Sequence, residues 1–373
     1  MKITLSRMMM CLLCLFTAAI VFGAQGGKKP AITISWSRCL SQRGEFYAGD
    51  EAIRIAENVL LYQRSTGGWA KGIDMARVLS DGDKALLRSS KNRQDSILDN
   101  GATHTQIRYL AKVYDATRRE RFKKGLLMGV DYLFEAQYDN GGWPQRYPNP
   151  SGYSRYITFN DGAMIGAMSV LRDIAEKKPG YMFVDEGRRR KAKKAVQKGI
   201  ECILKCQIVV NSRRTAWCQQ HDEKTFEPRP ARTYEKISIC GGESIGIVRF
   251  LMSIDNPAEE IVEAIHSAVA WLDHVKLTGI RQINKPDKSE RGYDKVIIKD
   301  TTAPPIWARF YQIGTNRPLF CGRDGKIKYS LAEIEHERRT GYSWYGRGPA
   351  GLLAKDYPAW QKKWAPNKNV LEN

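Results

Sequence analysis

Apolar residues recur along this chain at helical rather than strand spacing. Ile107, Leu110, Ala111 and Tyr114 fall at i, i+3, i+4 and i+7, which predicts one buried helix face. Leu126, Val130, Leu133 and Phe134 repeat the pattern, as do Met164, Met168 and Leu171. Ile245, Val248 and Met252 continue it, and after Pro257 come Ile261, Ile265, Ala268 and Leu272. Few alternating stretches are long enough to predict a strand. From about Arg281 to Trp360 the chain becomes rich in Gly, Pro, Trp and Tyr, which predicts irregular structure packed on the helices and walling a cleft.

The helical segments belong to a repeat. Trp69, Trp143 and Trp217 are 74 residues apart twice. The first two share a frame, Gln63-x-x-x-Gly67-Gly68-Trp69 and Gln137-x-x-x-Gly141-Gly142-Trp143, whereas the third, around Gln207 and Trp217, is degenerate. After each tryptophan an acid opens a helix-like run: Asp99, Asp161 and Glu243. Helix, Gly-rich loop, acid and helix, three times over, predict an all-α fold. The expected form is an α/α barrel, or toroid, of about three helical hairpins, with long irregular loops and a coil-rich C-terminal region.

The N-terminus reads as an export signal. Lys2 and Arg7 precede an apolar run from Met8 to Phe22, then small residues at Gly23 and Ala24. That run is short for a membrane span and fits a secretory peptide. The boundaries expected are a signal peptide over 1–24, a linker over 25–44, the barrel over 45–365 and a tail over 366–373. The mature chain is then secreted or periplasmic, with no membrane attachment, and is expected to be monomeric. Its six cysteines (Cys39, Cys202, Cys206, Cys218, Cys240 and Cys321) contain no Cys-x-x-Cys pair. Buried structural thiols, with at most one bridge, suit them better than zinc.

Composition then narrows the partner. The 373 residues are 42% hydrophobic, which excludes general disorder, and carry 60 Lys+Arg against 40 Asp+Glu. The formal charge is +20, and near +18 without Lys2 and Arg7. Outside the cytoplasm such a surface concentrates acidic polysaccharide rather than nucleic acid. The block from Arg188 to Lys198 reads mainly as the solvated face of a helix.

Candidate chemistry gathers in the loops. Asp99-Asn100-Gly101-Ala102 and Asn160-Asp161-Gly162-Ala163 each open a helix. Either aspartate alone reads as a helix cap, and Thr158-x-x-Asp161 fits a capping box. Their repetition beside Asn and Gly suggests instead two carboxylates converging on a hard cation such as calcium. In the third unit, two prolines stiffen the approach to Ala231-Arg232-Thr233-Tyr234-Glu235. Taken alone, Arg232 reads as the partner of Glu235 or Asp222, and His221 as a hydrogen-bonded loop residue. Further on, Trp307-Ala308-Arg309-Phe310-Tyr311 and Glu337-Arg338-Arg339-Thr340-Gly341-Tyr342 interleave arginines, which grip carboxylates in pairs, with aromatics.

Together these motifs, with Asn140-Gly-Gly-Trp-Pro-Gln145 and Ala216-Trp-Cys-Gln-Gln-His-Asp222, resemble the pectate lyases of polysaccharide lyase family 10 from about residue 45 to residue 360. The resemblance implies a toroidal α/α fold, calcium dependence and anti β-elimination of polygalacturonate. It implies Arg232 as the catalytic base and Asp99 and Asp161 as acidic groups of the calcium site. Asn100, Asn160, Arg309 and one of Arg338 or Arg339 become substrate contacts. Ala70 stands where the family pattern suggests proline, outside the chemistry.

Elementary chemistry agrees with that mechanism. The proton at C5 of a uronide is weakly acidic, and neutralising the adjacent carboxylate stabilises the carbanion. Arginine, with a free pKa of roughly 12.5 to 13.8, is a base only where its charged form is disfavoured, which predicts an alkaline optimum. An α/α-barrel glycoside hydrolase would also offer paired carboxylates, but would survive a chelator and make no unsaturated product. A polyanion-binding protein without turnover would leave the repeated Asp-Asn and Asn-Asp motifs unexplained.

Overall fold

The computed structural model describes residues 34–371. The export signal expected over 1–24 lies outside them. Eight helices build the body: α1 (Asp50–Tyr62), α2 (Asp81–Ser89), α3 (His104–Thr117), α4 (Glu120–Glu135), α5 (Ala163–Ala175), α6 (Glu186–Cys206), α7 (Gly241–Met252) and α8 (Glu259–His274). The predicted apolar faces lie in α3, α4, α5, α7 and α8, and Ile107, Leu110, Leu126, Met164, Met168 and Leu272 are fully buried. Antiparallel hairpins form from α3 with α4, α5 with α6, and α7 with α8, while α3, α5 and α7 pack in succession. The stretch expected as a linker is folded where it is described. Trp36 stacks edge-on against Tyr109 of α3, and its backbone N–H donates to Asp74 Oδ1 at 2.9 Å.

The repeat is a device for tying each outer helix to the next. Trp69, Trp143 and Trp217 are fully buried. Each indole N–H donates at 2.8 Å to a carbonyl in the last turn of the preceding outer helix: Val59, Leu133 and Ile203. These carbonyls lie in the turns where helix ends run short of backbone partners, although Val59 O also accepts from the Gln63 N–H at 3.1 Å. The glutamines make the other half of the joint. Gln63 donates to Gly67 O and to Gly125 O of α4, Gln137 to Gly141 O and Ala195 O of α6, and Gln207 to Thr215 O and Ala264 O of α8. A fourth indole, Trp307, closes the series on Leu272 of α8 at 2.7 Å. Sequence spacing hid it because a long hairpin intervenes.

Gly141 permits one of these joints. Its φ is +93°, and an added Cβ would collide with the Lys198 carbonyl on α6. Gly141→Ala is therefore expected to destabilise the fold by about 3 kcal/mol, from a strained backbone and a backbone clash together. Urea unfolding measures it, and a loss below about 1 kcal/mol would contradict this packing.

The all-α expectation fails. Among the described residues there are one three-stranded and five two-stranded sheets, so the fold is mixed rather than a plain barrel of three helical hairpins. The longest is an antiparallel hairpin of Ile280–Pro286 with Tyr293–Lys299, inside the region expected to be irregular. Neither of its faces is fully buried, so no alternation of apolar and polar residues marks it. The other strands hold two residues each, too few to show a period. These short ladders set the site. Ile157–Thr158 pairs with Gln220–His221, Ile239–Cys240 with Phe310–Tyr311, and Trp307–Ala308 with Tyr345–Gly346. Under the last two lies a satellite core of Cys240, Phe310, Phe320, Leu331 and Trp344. The six cysteines among the described residues are all buried and free.

Candidate active site

Two single-turn segments, Asp99–Gly101 and Asn160–Gly162, precede α3 and α5 and touch each other. Their central residues, Asn100 (φ +51°) and Asp161 (φ +50°), are left-handed, and Gly101 and Gly162 follow at φ +76° and +69°. Asn and Asp tolerate that backbone better than other side chains, which explains their presence in both turns. The backbone thus matches Asp99 with Asn160 and Asn100 with Asp161. Carboxylate and amide exchange places between the units, so the aspartates are neighbours rather than copies. No side-chain cap bond opens α3 or α5, and Thr158 turns its hydroxyl to the Tyr156 carbonyl.

Asn160 is the hub. Its Nδ2 donates to Asp99 Oδ1 at 3.2 Å and to Asp161 Oδ2 at 3.0 Å. Its Oδ1 accepts from Gln219 Nε2 at 2.9 Å and from Arg309 Nη2 at 3.3 Å. Arg309 Nη2 also pairs at 2.7 Å with Glu243 Oε1, in the first turn of α7, and Gln219 donates to the same oxygen at 3.2 Å. Lys71 is ion-paired with the buried Asp99. Of the three carboxylates, Asp161 alone has no ion pair. Desolvation and then the Asp99 charge push its pKa up. Glu243 Oε2 and Arg309 Nε are buried without partners. Asn100 is exposed and lines a pocket with Lys71 and Trp36.

Arg232 sits on a tight turn in which Glu235 N–H donates to Arg232 O at 2.8 Å. Its Nε donates to Glu235 Oε2 at 2.8 Å, its Nη2 contacts Oε1, and the Tyr342 hydroxyl donates to Oε1 at 2.7 Å. Asp222 belongs instead to Arg229, at 2.9 Å. The Glu235 hydrogen bond raises the Arg232 pKa further. Burial opposes the Glu235 charge, but the bonds from Arg232 and Tyr342 hold its carboxyl below the usual range. Tyr342 is also a common platform, with the guanidinium carbons of Arg309, Arg338 and Arg232 lying 4.7, 5.5 and 5.7 Å from its ring centre.

The adjacent arginines divide. Arg338 turns inward over Tyr342. Arg339 gives both arms of its fork to Asp294 at 2.7 Å, pinning the short helix His336–Gly341 to the Tyr293–Lys299 strand. The site also contains Lys71, Gln219, Glu243 and Tyr342, which sequence reasoning did not assign. Gln219 and Tyr342 lie within the motifs above, Glu243 marks the third repeat and Lys71 stands two residues after Trp69, so the signal was position in the repeat rather than residue type.

His221 lies beneath the site, fully buried. Its Nε2 accepts from Cys218 N–H at 3.0 Å, which leaves Nδ1 to donate to Phe226 O at 2.8 Å. Burial lowers its pKa to about 4. A histidine held neutral binds its proton more tightly when unfolded, so its contribution is intact above the ordinary pKa near 6.5 and is lost as pH falls towards about 4. Between roughly pH 7.5 and pH 5 the fold should lose about 2 kcal/mol through this imidazole, and His221→Gln should flatten that dependence in urea unfolding. An unchanged slope would contradict it.

A model of the pectic acid lyase family matches residues 63–353. Among solved structures, the family 10 polysaccharide lyase from Cellvibrio cellulosa is similar at 32% identity and TM-score 0.74, covering 88% of this chain and 94% of that one. An aspartate-to-alanine mutant of that lyase in complex with trigalacturonic acid gives 32% identity and TM-score 0.73, over 86% and 97%. No curated protein matches. With the family model spanning most of the chain and the likeness covering nearly all of it, the chain belongs to the pectic acid lyases, in polysaccharide lyase family 10, and is a pectate lyase.

Proposed function

We propose that this lyase cleaves (1→4)-α-D-galacturonan by calcium-assisted anti β-elimination, leaving 4,5-unsaturated ends, and that it acts after export. The observation that carries the reading is the meeting of Asp99 and Asp161 with the arginine row on Tyr342. Cations for uronate carboxylates then stand beside a carboxylate with no cation of its own. The trigalacturonic acid bound to the Cellvibrio mutant supports the substrate class, and the sequence of residues 1–24 supports export.

The residues fit a calcium ion. Asp99 and Asp161 are hard oxygen donors, and burial first and the Asp99 charge second raise the Asp161 pKa, two costs of an ionised carboxylate that a cation relieves. Among the described residues no three His, Cys, Asp or Glu side chains gather as a complete cage, so substrate carboxylate and water would complete the shell. When bound, calcium supplies charge neutralisation at the C6 carboxylate.

Arg309 and Arg338 hold uronate carboxylates, and Asn160 fixes Asp99 relative to Asp161. Asn100, exposed in the pocket beside Lys71, can donate to a sugar hydroxyl. Arg232, on the same platform, is the base, and Arg338 rather than the Asp294-bound Arg339 is the substrate contact. A guanidine nitrogen takes the C5 proton, the C5–H electron pair becomes the C4=C5 double bond, and the C4–O bond breaks. The departing oxygen takes a proton from water. Glu235 opposes loss of the Arg232 proton, while Arg309 and Arg338 on the same aromatic platform favour it. The rate should therefore climb into the alkaline range.

Product masses test the reading. Elimination adds no water across a cut, whereas hydrolysis adds one molecule. Polygalacturonate fragments that gain water, or cutting that persists in excess chelator, would overturn it.

A further inference from the structure

Helix α6 holds eight Lys and Arg against two Glu. Arg188 is taken by Asp131 and Asp185, at 2.6 and 2.7 Å, and Arg189 by Glu186 at 3.6 Å. The other cations, Arg190, Lys191, Lys193, Lys194, Lys198 and Lys205, form no ion pair among the described residues. All of them except the half-buried Lys198 are exposed. Arg190, Lys194 and Lys198 follow at i, i+4 and i+8, a row that rises about 6 Å per step. Lys193 flanks the row on one side and Lys191 on the other. Glu201 interrupts the face but already accepts from Gln197 at 3.2 Å, and Glu135 shares a shallow cleft with Lys191. The apolar residues of α6, among them Ala192, Val196, Ile200 and Ile203, are buried, and no exposed residue of the helix is apolar. The face therefore acts by charge and has nothing to insert into a lipid surface.

We propose that the outer face of α6 docks a second stretch of the galacturonan chain, away from the cleft, and keeps the polymer on the enzyme between cuts. This rests on the galacturonan reading above. A polymer with one carboxylate on every sugar presents a line of anions to the row from Arg190 to Lys198. Most of these cations are lysines, whose ammonium groups are point charges without the geometry of a guanidinium fork. They read charge density rather than the shape of one sugar. Each contact is weak because both partners stay hydrated, so the grip is reversible and fades with salt. The buried side of α6 packs against α5, α4 and α8, and none of the residues assigned to substrate or calcium lies on it. The two surfaces thus engage different sugars of one long chain, and the second contact raises the local concentration for the first. A methyl-esterified stretch, having no charge, should not be held.

The test is steady-state kinetics on polygalacturonate and on the shortest oligogalacturonate turned over, at low and high salt. One variant combines Arg190→Gln, Lys191→Gln, Lys193→Gln and Lys194→Gln, which keeps helix-forming residues at exposed positions. A second, with Arg43→Gln, Arg88→Gln, Lys362→Gln and Lys368→Gln, removes as many exposed cations from other segments. At low salt the α6 variant should raise KM for the polymer about tenfold, the sum of four weak exposed contacts. Its kcat, and its KM for the oligomer, should stay at the wild-type values, and the polymer difference should shrink at high salt. The second variant should stay within about twofold of the wild type on both substrates. An α6 variant with the wild-type polymer KM, with equal changes on both substrates, or with no more effect than the second variant refutes the docking surface while the lyase reading stands. Loss of binding to anionic phospholipid vesicles with the polymer KM unchanged would make the face a membrane contact and overturn the proposal. A wild type inert on every galacturonan would instead remove the galacturonan reading and the docking surface with it.

Discussion

Arg232→Ala is expected to lower kcat on polygalacturonate by about 10³-fold, within the range for loss of a positioned general base, while KM changes little. The KM expectation follows from the layout. In the proposed arrangement substrate carboxylates are held by Arg309 and Arg338, and Arg309 is anchored separately, by Glu243 and Asn160. The pH profile adds a check that a merely structural role would not satisfy. Glu235 keeps the Arg232 charge in place through its hydrogen bonds, and the Tyr342 hydroxyl donates to the same Glu235 carboxylate. Glu235→Gln removes the anion and retains an acceptor, so the proton leaves Arg232 more readily and the alkaline limb of kcat moves to lower pH. A limb that stays in place, or an Arg232→Ala variant that loses only affinity, would move the base to another residue.

Asp161→Asn is expected to reduce kcat/KM by about 10²-fold at a fixed low calcium concentration, with part of the loss recovered when calcium is raised. Asp161 is singled out because Lys71 already answers Asp99 and Arg309 answers Glu243. Its amide replacement keeps the left-handed turn, since Asn100 occupies the matching position in the other unit with the same backbone. Folding should therefore be preserved and the loss confined to the cation. Calcium titration followed by calorimetry reads this directly. An Asp161→Asn protein that binds calcium like the wild type would place the ion elsewhere.

Helices whose buried faces recur at i, i+3 and i+4 were legible because the signal is spread over several turns, as in Ile107 to Tyr114. The two-residue ladders were not, although they bring Arg309 to Glu243 and Asn160 to Gln219. A strand of that length has no period to detect, and its partner lies far away in sequence. Trp307 shows the same limit in the repeat. Its indole does what those of Trp69, Trp143 and Trp217 do, but the Ile280–Lys299 hairpin breaks the even spacing that exposed the other three. The candidate chemistry was readable as residue types in motifs, and the exchange of Asp and Asn between the turns emerged only from the backbone angles. Arg338 and Arg339, adjacent in sequence, separate because one meets aromatic rings and the other meets Asp294.

The central claim, elimination by Arg232 at a calcium site, reduces to one optical measurement. The wild type and Arg232→Ala are mixed with polygalacturonate at alkaline pH, with calcium or with excess chelator, and the ultraviolet absorbance of the conjugated unsaturated uronide is followed. A rise confined to the wild type with calcium is the predicted result. Absorbance that grows equally in Arg232→Ala, or reducing ends released with no absorbance at all, would contradict the account.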